Sequence, residues 1–226
     1  MLGTIVNTCT ILTGSLIGSV FKKGIGEKQQ NALFTAMGLA AAGLGINAVV
    51  QNMPKSNYPV LFIVSLALGS LIGTTLDLDT RFQKLADRFS VGQLSKGLST
   101  GILLFCIGTL SILGPINSAL YGDNTYLFTN ATLDLVTSMV LASTYGIGIA
   151  LTAIVLFCWQ GSIYLLATLL GSFMTADMMT ELSIVGGFLI ASSGLSILNI
   201  KDCKTMNMLP SLAVPLLFCW LMGRMG

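Results

Sequence analysis

Residues 131–174 read ATLDLVTSMVLASTYGIGIALTAIVLFCWQGSIYLLATLLGSFM, 44 positions with a single charge, Asp134. A hydrocarbon core about 30 Å thick is crossed by roughly 20 apolar residues. The stretch is therefore too long for one crossing, even a tilted one. It must break, and Ser143-Thr144-Tyr145-Gly146-Ile147-Gly148 is where small, polar and turn-forming residues collect. The piece after the break is a plain apolar span. The piece before it carries Thr132, Asp134, Thr137 and Ser138, polar for a span. It reads either as a further crossing or as a half-helix that re-enters on the same side.

The rest of the chain has the same character. Of 226 residues, 54% are hydrophobic and 9% charged, whereas a soluble domain carries about 25% charged residues. This is an all-α polytopic membrane protein whose first partner is the lipid bilayer. Further spans are Leu2–Phe21, closed by Lys22 and Lys23; Asn31–Gln51, followed by Pro54 and Pro59; and Tyr58–Leu76. Gly97–Asn117 is interrupted by Gly108, Gly114 and Pro115, and Leu182–Ile200 and Asn207–Met222 complete the set. That makes seven or eight transmembrane helices. Residues 77–96 differ: Leu78, Phe82, Leu85 and Phe89 recur at helical spacing among Asp79, Arg81, Lys84, Asp87 and Arg88, the pattern of an amphipathic interfacial helix. No basic segment precedes the first apolar run, so it reads as a retained helix, not a cleaved leader. Cytoplasmic loops collect Lys and Arg. An outside N-terminus with eight crossings puts every basic residue inside except Lys55 and Arg224. With seven crossings the same orientation still wins.

Composition also excludes. There is no histidine, which removes Ser-His and Cys-His pairs, HExxH zinc sites and a histidine proton relay. Cys9, Cys106, Cys158, Cys203 and Cys219 show no ligand spacing and read as packing residues. A net charge of +2 without a basic stripe gives no footprint for nucleic acid. No GxxxxGK phosphate loop occurs, so ATP-driven pumping by this chain has no support. An enzyme is not expected, nor a cofactor.

The two ends of the chain resemble each other. Leu39-Ala40-Ala41-Ala42-Gly43-Leu44-Gly45-Ile46 matches Ile190-Ala191-Ser192-Ser193-Gly194-Leu195-Ser196-Ile197 in character. Pro54 and Pro59 match Pro210 and Pro215, and Leu16-Ile17-Gly18-Ser19 matches Leu169-Leu170-Gly171-Ser172. The three-helix unit 1–76 would recur as 151–226, joined through the interfacial helix 77–96 and linking helices 97–150. With five crossings between the first helices of the units, the repeat is inverted. That plan places a site at the repeat interface near the midplane.

Carried along the first helices, the repeat pairs Asn7 with Gln160. An amide in hydrocarbon is costly unless bonded, so both should point inward. There they either hold a polar ligand or cation shell, or bond across helices as packing glue. Asp134 is either an intramembrane ion or proton carrier or an acid in the first turn of a helix, favoured by the dipole. Asn117, after Gly114-Pro115, either lies beside carbonyls freed by a broken helix or simply starts a loop. Gly14/Gly18 and Gly69/Gly73 have small-xxx-small spacing, which serves close packing inside the bundle or a homo-oligomer, most simply a dimer.

Gly3-Thr4-Ile5-Val6-Asn7, Phe105-Cys106-Ile107-Gly108 leading into Ile112-Leu113-Gly114, Gly122-Asp123, Leu133-Asp134 and Gln160-Gly161 resemble, in order and spacing, a bacterial inner-membrane family catalogued as domain of unknown function 554. The resemblance covers essentially the whole chain. It implies a multi-pass protein of the bacterial cytoplasmic membrane with a transport role, and brings no substrate. Family members often carry Gly after the Leu-Asp pair, where this chain has Leu135.

The leading expectation is a secondary transporter or exchanger of a small polar solute or ion. Asn7, Gln160 and Asp134 would line its site, with Asn117 nearby, and one bundle would move against another. An ion or small-solute channel is the second reading, and a non-transporting scaffold or sensor the third.

Overall fold

The computed structural model describes residues 1–20, 26–87, 98, 100–102, 104–106, 109–171 and 174–225. Among these every element is helical: α1 Leu2–Val20, α2 Glu27–Asn52, α3 Leu61–Leu76, α4 Leu78–Asp87, α5 Thr100–Cys106, α6 Thr109–Tyr121, α7 Thr125–Tyr145, α8 Thr152–Leu170, α9 Ala176–Ile197, α10 Thr205–Met208 and α11 Ala213–Met225. Five continuous helical stretches are long and apolar enough to cross a membrane, and the bent pair α5–α6, whose axes differ by 43°, makes a sixth. The outward faces suit that solvent. Val20, Leu71, Leu169 and Leu217 are all more than 60% exposed, a surface that water would not tolerate on this scale. The amphipathic stretch forms α4; Phe89 and the rest of residues 88–97 lie outside the described residues.

The long apolar stretch breaks where the sequence expects. α7 ends at Tyr145 and Gly146 takes φ 86°, ψ −178°, a conformation open essentially to glycine alone. The start of α7 differs from expectation. It begins at Thr125, inside the polar segment 121–130 that reads as loop, where Asp123 accepts both the amide (2.9 Å) and hydroxyl (2.7 Å) of Thr125 and so satisfies the first amide of the helix. At 21 residues α7 is about 31 Å long. The span expected to break at Gly114-Pro115 also differs: α6 runs unbroken through Pro115. Gly114 gives Leu127 of α7 room to pack, since a Cβ there would stand 2.9 Å from that side chain. Gly108 lies outside the described residues.

The chain divides into two units, Met1–Ala36 with Arg81–Ser172 and Met37–Thr80 with Phe173–Gly226. The division does not follow the expected units 1–76 and 151–226: helices from each fall in both units. In the first unit α1 packs chiefly on α7, and α6 on α7 and α8. Gly3 meets Leu127, Gly14 meets Leu135 and Ser138, and Gly18 meets Met139, so α1 and α7 run parallel. In the second unit Gly38 meets Gly194 while Gly45 meets Gly187 and Ala191, and Gly69 meets Ser211 while Gly73 meets Asn207. The order reverses along the chain, so α2 with α9, and α3 with the segment 207–211, run antiparallel. The small-xxx-small pairs Gly14/Gly18 and Gly69/Gly73 therefore serve close approach within a unit.

Two glycines of α2 separate the effects of space and propensity. A Cβ at Gly43 meets nothing within 4 Å, whereas one at Gly45 overlaps the backbone of Ala191. Gly43→Ala should raise stability by about 0.5–1 kcal/mol through reduced backbone entropy in the unfolded chain. Gly45→Ala should lower it by about 1–3 kcal/mol through overpacking. Melting curves of the two variants in one detergent check the opposite signs.

Candidate functional site: a polar layer in the first unit

The first unit has an apolar plug. Ile11 of α1, Phe105 and Cys106 of α5, Leu141 and Ala142 of α7, Ile149 of the 3-10 turn, and Ala153 and Leu156 of α8 form one buried cluster. Helical periodicity then fixes what stands beside it. Moving away from the Gly146 turn, Asp134 is two turns from Leu141 along α7, and Gln160 is one turn from Leu156 along α8. Asn7 is one turn from Ile11 along the parallel α1. All three displacements run the same way. Gly114 opposite Leu127 places Ser111 of antiparallel α6 level with Asn130. A layer of polar side chains thus caps the plug.

Its members are buried: Asn7, Ser111 and Gln160 at 0% exposure, Asp134 at 4% and Asn130 at 5%. Asn130 Nδ2 donates to Asp134 Oδ2 at 2.9 Å from one turn earlier on α7. The Asn7 carboxamide faces the Asp134 carboxylate at a range where the two interact, although its Nδ2 completes no hydrogen bond. Gln160 Nε2 donates to Ser111 Oγ at 3.0 Å, and Gln160 Oε1 has no partner. Pro115 has no N–H to bond the Ser111 carbonyl four residues earlier, so a backbone acceptor is released close to this amide. On the α1 face, Thr4 Oγ1 and Ser15 Oγ are buried without partners on either side of Asn7.

Three of the four expected residues therefore share one layer. Asp134 does not lie in a first turn: it is the tenth residue of α7, too far along for N-capping. The fourth, Asn117, is half-buried on α6, six residues beyond Ser111 and so about 9 Å further along the helix. Asn130 and Ser111 escape sequence reasoning. Asn130 sits in a polar run that looks like loop, and a serine in an apolar span usually bonds its own helix. In chemistry, the layer offers one carboxylate, amide donors and acceptors, and hydroxyls, the set that replaces a hydration shell around a small polar or cationic guest. Among the described residues no group of three or more Cys, Asp or Glu could hold a metal.

The chain matches the family model described as "Protein of unknown function (DUF554)" over residues 2–220. It is 59% identical to the uncharacterized membrane protein YdfK of Bacillus subtilis, over 95% of this chain and 94% of that one. It is 30% identical to the uncharacterized protein YqgA of Escherichia coli, over 97% of each. No solved structure matches. On a family match spanning nearly its whole length, with two full-length relatives beside it, the chain belongs to the DUF554 family.

Proposed function

We propose that the chain is a secondary transporter or exchanger of a small polar solute or ion in the bacterial cytoplasmic membrane. The observation that carries this reading is the buried layer of Asn7, Asn130, Asp134, Ser111 and Gln160, with Asn7 Nδ2 and Gln160 Oε1 unsatisfied. Unmet polar atoms in a dry interior are costly, and a guest that bonds them removes the cost. An intramembrane carboxylate is the residue type that carries ions or protons. The apolar plug beside the layer favours alternating exposure over an open pore, hence a transporter over a channel.

The site lies between α1 and α8, the first helices of the two sequence repeats. Adding α3 and α7 to the five long spans and the bent pair gives eight crossings. In that arrangement α7 is the fifth crossing, parallel to α1 as its glycine register requires, and α9 and the last span are inverted relative to α2 and α3. The antiparallel registers of Gly45 with Gly187 and of Gly73 with Asn207 support this inverted repeat. The N-terminus is outside by the distribution of Lys and Arg.

The test is thermal stabilisation of the purified protein in detergent against ions, amino acids and organic acids, with Asn7→Ala and Gln160→Ala in parallel. A native-state ligand raises the melting temperature by mass action, about 2.7 kcal/mol at a hundredfold excess over Kd. Stabilisation lost in both variants supports the layer and supplies the solute for flux measurements. Saturable flux stimulated by counter-solute identifies exchange. Stabilisation that survives both variants removes Asn7 and Gln160 from the site, and Asp134→Asn then tests the rest of the layer.

A further inference from the structure

Asp134 is one of two buried carboxylates among the described residues; the other, Glu181, is 1% exposed and belongs to the second unit, outside the polar layer. It stands in the second turn of α9. Its Oε1 accepts from the Ser56 hydroxyl, which itself accepts the Tyr58 amide at 3.0 Å. Its Oε2 is buried with no partner. One turn earlier, partly exposed Asp177 accepts from Asn57 Nδ2 at 3.0 Å. Leu61, Met178 and Cys219 form an apolar cluster in the same unit, and its Cys219 lies within electrostatic reach of both carboxylates.

The hydrogen-bond partners of the two acids are an alcohol and an amide, neutral groups that orient a carboxylate without balancing its charge. Lys55, next to Ser56 in sequence, is exposed. A carboxylate taken out of water needs a counter-charge in close contact, and here a buried lone pair remains free to take one. Glu181 and Asp177 are four residues apart on one helix, so both project from the same face. The Ser56–Asn57 turn covers them. Every donor atom is a hard oxygen.

We propose that Glu181 and Asp177, with the Ser56 hydroxyl, form a binding site for a hard divalent cation of the calcium type. Two carboxylates match its charge. Two carboxylates, one buried and one partly exposed, with a hydroxyl suit calcium, whose geometry is flexible, better than magnesium, which demands a near-ideal octahedron. With only two acidic ligands the site is weak, of the order of 10⁻⁴–10⁻³ M as in calcium sites of extracellular modules.

The experiment uses the full chain purified in detergent, stripped with a chelator and melted in rising CaCl₂. MgCl₂ and NaCl at matched ionic strength are the comparison arms. Calcium should raise the melting temperature saturably, half-maximal near the millimolar range, with a smaller effect of magnesium and none of sodium. Glu181→Gln keeps the shape and still accepts from Ser56; it should fold, melt at or above the stripped wild type, and lose the calcium response. Asp177→Asn should weaken the response at least tenfold, and Asp134→Asn should leave it intact, which separates this site from the polar layer. Equal shifts with all three salts indicate screening alone and overturn the proposal. A calcium response surviving in Glu181→Gln also overturns it. So does a wild type indifferent to calcium.

Discussion

Gly18→Val should part α1 from α7 and cost the protein about 3 kcal/mol or more. A Cβ at this position overlaps the carbonyl oxygen and Cα of Met139, so backbone and not a flexible side chain must yield. Overpacking of a tight site typically costs about 1–3 kcal/mol, and valine adds two methyls to the clash. Because α1 holds Asn7 against α7, the same change should remove ligand stabilisation. Gly161→Ala is the control. A Cβ there finds only Met1 Cε at 4.0 Å, so the variant should melt at or above the wild type. A Gly18→Val protein that melts with the wild type would show that the two helices do not approach as closely as Gly14, Gly18, Leu135 and Met139 require.

Asp134→Asn should move stability and function in opposite directions. Asparagine preserves the shape and its carbonyl can still accept from Asn130 Nδ2, now at 2.9 Å from Asp134 Oδ2. A buried charge carries a desolvation penalty of several kcal/mol that the neutral amide avoids, so the melting temperature should hold or rise. Hydrogen bonds to a charged group contribute roughly 1.5–3 kcal/mol. The affinity for a solute recognised through the carboxylate should therefore fall at least ~10-fold, and counter-solute-stimulated flux with it. The pair of readouts is decisive: unchanged affinity removes Asp134 from the binding role, while a collapse of melting temperature makes it a folding residue.

Much of this was legible in the residues. An amide inside an apolar helix has one economical position, facing inward, and Asn7 and Gln160 are both fully buried. The Gly146 break followed from the length of the apolar stretch alone. The limits have physical causes too. Thr125 to Asn130 is polar enough to read as loop, because hydropathy does not register that Asp123 takes up the amide and hydroxyl of Thr125 there. That error shortened α7 and left Asp134 poised between a first turn and a midpoint. Glu181 falls one residue before the apolar run Leu182–Ile200, so hydropathy does not single it out; only packing shows that it is buried and bonded to Ser56. The small-residue pairs were visible, but a helix does not name its neighbour, so the parallel seam of α1 with α7 emerged only with the register of Gly3, Gly14 and Gly18.

Those seams have a mechanical consequence. Where Gly73 abuts Asn207, or Gly45 abuts Ala191, backbone lies on backbone and no rotamer can change to absorb a displacement. Forming such a contact also freezes no glycine side chain, so it is free of the side-chain entropy loss that a leucine interface carries. A slip of one residue would drive a Cβ into a carbonyl, which makes each seam a fixed joint: the helices it unites travel together or come apart. Gradual adjustment is left to contacts lined by side chains, such as that of α6 with α8 where Gln160 meets Ser111. Within the first unit, changes of shape should therefore be sought at the side-chain contacts of its polar layer, while the α1–α7 seam at Gly14 and Gly18 stays fixed.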